Sequence, residues 1–257
     1  MAVIMKALLS LRRHAFHYKP VLRRHSSLIT DLIENMDKKE TWDRFYQENN
    51  STKDGSQNLR NFEWFFSFDA VQSFILPLLQ PQSSHEAPKN ALDVGCGTSA
   101  VGPGIYRHSP WPVRVTCADI SAVAIRLMQE QQQSRPVQPG NTSSSLLFLE
   151  LDCSQLLQQF GCCSLDLIVD KGTTDALLRS KEGPAKAGQV LQQCLRVLRP
   201  SGALLQFSDE DPDARLLWLE KESGALGGGT TGVKVQEVGT LRGISYYCYT
   251  ISPTSSP

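Results

Sequence analysis

The stretch ALDVGCGTSAVG, residues 91–102, decides the fold. An apolar run ends at Gly95 and Gly97, and a helical pattern starts directly after them. Glycines at such a junction let the backbone turn tightly and let a ligand approach main-chain amides without meeting a Cβ. Ala100 takes the place of a third small residue, where a helix must pack closely on a strand. Asp93 stands two residues before Gly95, at a position usually apolar in a dinucleotide-binding turn. A carboxylate there suits a cationic amine better than a pyrophosphate. Taken alone, the glycine pattern is equally compatible with a purely structural turn.

Short apolar runs alternate with helical stretches on the C-terminal side of this turn. The pattern predicts strands at 90–95, 113–119, 146–152, 164–170 and 202–208, with helices near 99–107, 121–132 and 185–199. The turn Arg199-Pro200-Ser201-Gly202 is expected to close the last helix. Continuous apolar strands separated by helices imply an α/β fold with a mostly parallel sheet covered on both faces. Two final runs, 233–239 and 244–251, are spaced to pair as an antiparallel hairpin at the sheet edge. The polar segment 131–145 (QQQSRPVQPGNTSSS) reads as a flexible surface insertion. Asp93, Asp119, Asp152 and Asp170 each fall at a predicted strand end, on the edge where open α/β sheets bind ligands. Asp119, 24 residues after Gly95, suits the two hydroxyls of a ribose. A helix cap explains one such aspartate more easily than four.

N-terminal to the turn, residues 31–80 read as a helical arm rich in aromatics, including Trp42, Phe45, Tyr46, Phe62, Trp64, Phe65, Phe66 and Phe68. A packing face and a lid over a ligand both fit this composition. A PQSSHEAP linker separates the arm from a domain at 88–257. The 26 Lys and Arg balance the 26 Asp and Glu, but the balance is uneven along the chain. Residues 1–30 hold Lys6, Arg12, Arg13, Lys19, Arg23 and Arg24 and no acid, interleaved with Leu, Val and Ser. This composition predicts a mitochondrial transit peptide, with a basic tail as the alternative, and leaves an acidic body. The neutral total argues against a generic nucleic-acid or membrane-surface binder, and no apolar run is long enough to span a bilayer. Seven cysteines without a CxxC pair read as mostly free thiols. Outside the basic segment only His85 and His108 remain, both in loop-like settings, so neither a zinc site nor a Ser-His-Asp triad is supported.

DVGCGT resembles the first motif of class I S-adenosylmethionine-dependent methyltransferases, and LIVDKGTTDAL at 167–177 resembles the fourth-strand motif of their protein-lysine methyltransferases. With WDRFY, FEWFF, RVLRPSGALLQFSDEDPDAR and RGISYYCY, the likeness covers most of the chain. It is greatest to the mitochondrial enzymes that methylate citrate synthase, with relatives of this motif style acting on a translation elongation factor. The resemblance implies a Rossmann-like seven-strand sheet, S-adenosylmethionine as cofactor, no metal, and a monomer acting on a protein lysine in the mitochondrial matrix. It implies Gly95 and Gly97 under the methionine part of the cofactor, Asp93 near its amino group, and Asp119 on the ribose. Asp152 and Cys153 would border the adenine, and Trp42 would help close the pocket. Asp170 would stand where cofactor and substrate meet and would orient or deprotonate the amine. Lys171 departs from the Asn/Asp-Pro-Pro-Tyr motif of amide and adenine methylating enzymes, which argues against those substrates. The acids Asp209, Glu210, Asp211 and Asp213 fit either a basic substrate surface or a helix N-terminus. Two other classes stay open on the residues alone. A nicotinamide-dependent oxidoreductase would need a YxxxK pair that is not found, and a noncatalytic binding protein would retain the fold without turnover.

Overall fold

The computed structural model describes residues 30–50, 62–83, 86–224 and 232–253. The basic segment, apart from Thr30, and His85 lie outside the described residues. Seven strands form one sheet: β1 (Lys89–Val94), β2 (Val113–Asp119), β3 (Ser145–Glu150), β4 (Leu165–Lys171), β5 (Leu198–Ser208), β6 (Gly232–Leu241) and β7 (Ile244–Ser252). Their order is β3-β2-β1-β4-β5-β7-β6. The first five run parallel, and β7 joins β5 and β6 antiparallel. β4, a central strand, is buried along its whole length, including Asp166, which pairs with Arg199, whereas β3 at the edge exposes Ser145, Leu147 and Glu150.

The helices are α1 (Lys39–Asn50), α2 (Val101–His108), α3 (Ala122–Ser134), α4 (Leu156–Phe160), α5 (Thr173–Arg179), α6 (Gly183–Val197) and α7 (Pro212–Gly224). One face of the sheet packs Ala91, Val115, Cys117, Leu167 and Val169 against α2 and the short helical turns at 68–79. The other packs Leu92, Val94, Ala118 and Ile168 against α6. Val71, Ile75 and Leu79 of the arm are completely buried beside Val101 and Ile105, so arm and sheet share one core.

Several sequence expectations are corrected. Residues 199–202 do not form a turn after a helix; they belong to β5, whose pairing shifts from Leu165↔Leu198 to Leu167↔Ala203. Proline without an N–H and glycine without a side chain make that irregularity tolerable. The polar 131–145 segment continues α3 to Ser134 and is then tied to the fold. Gly140 N donates to Tyr106 O (2.9 Å), and Val113 N donates to Ser144 Oγ (3.0 Å). His108 ends α2 and stacks on Phe68, with ring centroids 5.5 Å apart. The arm is not continuously helical either: residues 62–67 form an irregular segment in which Phe65 has φ +69°. All seven cysteines are free thiols, and among the described residues no helix is long and apolar enough to cross a membrane.

Candidate active site

The turn after β1 is held by contacts that only glycine permits. Gly95 has φ +62°, and a Cβ there would lie 2.0 Å from Thr173 Oγ1, a hydroxyl that donates to Val94 O at 2.9 Å. Gly97 has φ +51°, and a Cβ there would lie 2.2 Å from the Tyr46 hydroxyl. Asp119, the last residue of β2, fixes the turn from the side. Its Oδ2 accepts from Gly97 N (2.7 Å), and its Oδ1 accepts from Ser121 N (2.8 Å) at the start of α3. Burial pushes its carboxyl up to about 6, against those two amides, which favour the charged form.

The four aspartates do not share one setting. Asp93 and Asp170 each precede the last residue of their strands, and pairing matches Asp93 with Val169 and Val94 with Asp170. Adjacent residues of a strand point to opposite faces, so the two carboxylates lie on opposite sides of the sheet. Asp93 Oδ2 accepts from Gly102 N at 3.0 Å and clamps α2 to β1. Asp170 accepts from Thr173 N (2.8 Å), Thr174 N, Thr174 Oγ1 and Gln206 Nε2 (3.2 Å), which makes it the anchor of the α5 N-terminus. Burial pushes Asp170 up to about 6. Asp152 does not end β3; it lies past the strand and caps the turn at Cys153–Gln155. Its Oδ1 accepts from Ser154 N (2.9 Å), and its Oδ2 pairs with Lys186 Nζ (2.9 Å). Burial alone would raise Asp152, but the Ser154 amide and the Lys186 ammonium outweigh it and leave it below the ordinary carboxylate value.

Burial also raises Asp93, to about 7, partly opposed by the nearby Lys171 ammonium. The folded protein therefore holds this proton more tightly than the unfolded chain, whose aspartates release it near 4. The stability tied to it is complete below about pH 4 and is lost as pH rises through 7. Asp93→Asn keeps an oxygen for Gly102 N and removes the titration. Thermal denaturation at pH 4.5 and 7.5 should show wild type losing stability relative to this variant as pH rises; a change of opposite sign would contradict the assignment.

A cleft opens at the carboxyl edge of the sheet, where open α/β sheets bind ligands. Gly95, Gly172 and Thr173 form its floor, and Asp119, Ile120, Leu151, Asp152 and Cys153 form one side. Met36, Asp37, Trp42, Tyr46, Phe62 and Trp64 of the arm form the facing wall. Trp42 is pinned by donation from Nε1 to Met36 O (2.7 Å) and meets Trp64 edge-on at 6.3 Å. Trp64 packs against Gly172, where φ is +89° and a Cβ would lie 2.1 Å from the indole. Lys171 binds this wall to the floor, with Nζ donating to Glu63 Oε2 (2.9 Å) and Trp64 O (2.7 Å). Glu63 in turn accepts from Ala100 N (2.7 Å) at the start of α2. Burial pulls the Lys171 pKa down despite its pairing with Glu63.

Of the residues singled out in the sequence, Trp42, Gly95, Asp119, Asp152 and Cys153 line the cleft. Gly97, Asp93 and Asp170 support it from behind through the hydrogen bonds above. Sequence reasoning missed Asp37, Ile120, Thr173 and Lys186. Ile120 follows Asp119 and was discoverable from that neighbour, but nothing around Asp37 or Lys186 in the chain signals a site. The acidic stretch is structural as far as its contacts go: Asp209 pairs with Arg179, and Asp211 Oδ1 accepts from Asp213 N (2.9 Å) at the start of α7. Among the described residues no group of three His, Cys, Asp or Glu is placed to hold a metal.

The family model described as "Methyltransferase domain" matches residues 92–206, from β1 through most of β5. Citrate synthase-lysine N-methyltransferase CSKMT, mitochondrial, of Danio rerio is 62% identical, over 90% of both chains. The Homo sapiens protein of that name is 46% identical, over 74% of this chain and 78% of its own. The crystal structure of the N-methyltransferase NodS from Bradyrhizobium japonicum, in complex with S-adenosyl-L-homocysteine, aligns with a TM-score of 0.50 and 18% identity. That alignment covers 84% of this chain and 99% of NodS, a likeness of fold. At 62% identity over 90% of both chains, the chain belongs to the citrate synthase-lysine N-methyltransferase family of S-adenosylmethionine-dependent methyltransferases.

Proposed function

We propose that this enzyme methylates a lysine side chain of mitochondrial citrate synthase. The observation that carries this reading is the 62% identity over 90% of both chains to a protein of that name. The cleft suits the cofactor: its walls combine aromatic rings with carboxylates, which favour a cation. Asp119 would hold the ribose, Cys153 and the Asp152 region would border the adenine, and Trp42 would close the pocket over Gly95. S-adenosylmethionine supplies a methyl group on a sulfonium, open to in-line attack by a neutral amine.

The protein's task is to present that amine unprotonated. A lysine with a pKa near 10.4 needs roughly 3–4 kcal/mol to be neutral near pH 7.5–8. The cleft already acts in that direction on Lys171, whose pKa burial lowers beside the same aromatic wall. Desolvation by Trp42, Tyr46, Phe62 and Trp64 would act likewise on an incoming lysine.

We assign Asp170 a positioning role in place of contact with the amine, because its oxygens are taken up by Thr173, Thr174 and Gln206. Through Thr173 it holds the floor of the cleft. Asp170→Ala should therefore weaken S-adenosylhomocysteine binding on the order of tenfold, the scale of a lost charge-assisted hydrogen bond. Unchanged binding with lost turnover, measured by calorimetry and methyl-transfer assay, would return Asp170 to the amine.

The basic residues 1–30 fit delivery to the matrix, and fusing them to a fluorescent reporter tests that address. Incubation with labelled methyl donor and purified citrate synthase, followed by mass spectrometry, tests the substrate. Label on elongation factor but not on citrate synthase would overturn the assignment.

A further inference from the structure

Among the described residues, two side chains lining the cleft present a buried polar atom without a hydrogen-bond partner: Asp37 Oδ1 and Trp64 Nε1. Such atoms are rare in folded proteins and call for a partner that completes them. They are of opposite kind. The indole can only donate, whereas the carboxylate oxygen can only receive.

We propose that Asp37 reads the purine of the cofactor, its Oδ1 accepting a hydrogen bond from the 6-amino group of adenine. This rests on the S-adenosylmethionine reading above and adds a recognition residue from outside the matched methyltransferase domain. Its position fits. Lys186 Nζ lies 2.9 Å from Asp152 Oδ2 and 3.5 Å from Asp37 O, so Asp37 stands beside the residue expected at the adenine. Asp152 itself has both oxygens engaged, by Ser154 N and Lys186 Nζ, which leaves Asp37 as the neighbouring carboxylate with an unmatched acceptor. Ile120, Leu151 and Cys153 line the same side of the cleft and offer apolar surface to a flat ring.

Asp37 is also held in place before any ligand arrives. On one side Met36 O accepts from Trp42 Nε1 (2.7 Å), and on the other Lys39 Nζ donates to Ile120 O (3.1 Å). A fixed carboxylate selects by what it rejects. Hypoxanthine carries a carbonyl where adenine carries the amine, and two acceptors facing each other repel.

Calorimetry on the full chain with S-adenosylhomocysteine and S-inosylhomocysteine tests this. Wild type should favour the adenosyl compound on the order of 10- to 100-fold, the range for a charge-assisted hydrogen bond. Asp37→Ala should bring the two affinities within about threefold of each other by weakening the adenosyl compound, with the melting temperature of the free protein checked alongside. Asp37→Asn turns an amide donor toward the carbonyl and should bind S-inosylhomocysteine more tightly than wild type does, a gain that misfolding cannot produce. Trp64→Phe removes the other unpartnered atom and should leave the purine preference intact. If Asp37→Ala keeps the wild-type preference, the amine is read elsewhere and the inference fails. If wild type binds neither compound, the cofactor reading itself fails.

Discussion

Gly95→Ala is expected to bind S-adenosylhomocysteine at least on the order of 100-fold more weakly than wild type, on two independent grounds. Its φ of +62° is a left-handed conformation, which costs a residue with a Cβ roughly 1–2 kcal/mol. The new methyl group would also lie 2.0 Å from Thr173 Oγ1 and break that hydroxyl's bond to Val94 O. Either the glycine turn or α5 must then move, and both form the floor of the cleft. Gly161 supplies the control: its φ of +75° and ψ of 173° are also a conformation left to glycine, but a Cβ there would meet nothing within 4 Å among the described residues. Gly161→Ala should lose about 1–3 kcal/mol of stability and bind normally. Equal loss of binding in the two variants would show that backbone strain alone, without the contact at Thr173, accounts for the effect.

The largest loss of stability is expected at Asp175. Arg215 is 1% exposed, and its Nη2 donates to Asp175 Oδ1 (2.9 Å) and Ser208 Oγ (2.9 Å). Its guanidinium also lies over Trp218 at 5.5 Å and Tyr249 at 5.9 Å. Among the described residues Nε and Nη1 have no hydrogen-bond partner, so Asp175 carries most of the compensation for burying this charge. Removing one member of a buried pair costs about 3–5 kcal/mol, because the other stays desolvated and uncompensated. Asp175→Ala should therefore lower the melting temperature by about 10 °C. Combining Asp175→Leu with Arg215→Met should recover most of that loss, as apolar replacement of a whole pair often does. A double variant no more stable than Asp175→Ala would mean that shape, not charge, decides the site.

The sheet was legible because its strands obey strong local rules. SLDLIVD at 164–170 read as a strand, and the glycines of ALDVGCG marked a tight turn at a strand end. The α5 and α7 helices were not legible as such. TTDALLR is short and begins after a left-handed Gly172, and the first turn of α7 hides within an acidic run that has other uses. Asp93, Asp119, Asp152 and Asp170 were legible as residues at or near strand ends, but the directions of their side chains were not, for a physical reason. Side-chain direction depends on strand parity, and parity depends on a register that only the paired structure fixes. Asp119 was read to a cleft-lining position, whereas Asp93 and Asp170 proved to be fasteners on opposite faces. Asp37 was invisible because its environment is assembled from β2, the turn after β3 and α6, remote in the chain.

The wall bearing Met36, Asp37, Trp42 and Tyr46 packs on α3 through a small apolar cluster of Phe45, Tyr46, Phe62 and Ala124, and polar links fasten its rim. Lys39 reaches Ile120 O and Glu150, and Asp43 accepts from Ser121 Oγ at 2.6 Å. Such partly hydrated links resist opening less than the interior of the sheet does. A molecule bound between wall and floor acts as a clasp on this segment, and part of its intrinsic affinity goes into keeping the segment closed. Slowed amide hydrogen exchange along α1 would then register occupancy of a site whose chemistry takes place on the neighbouring strands.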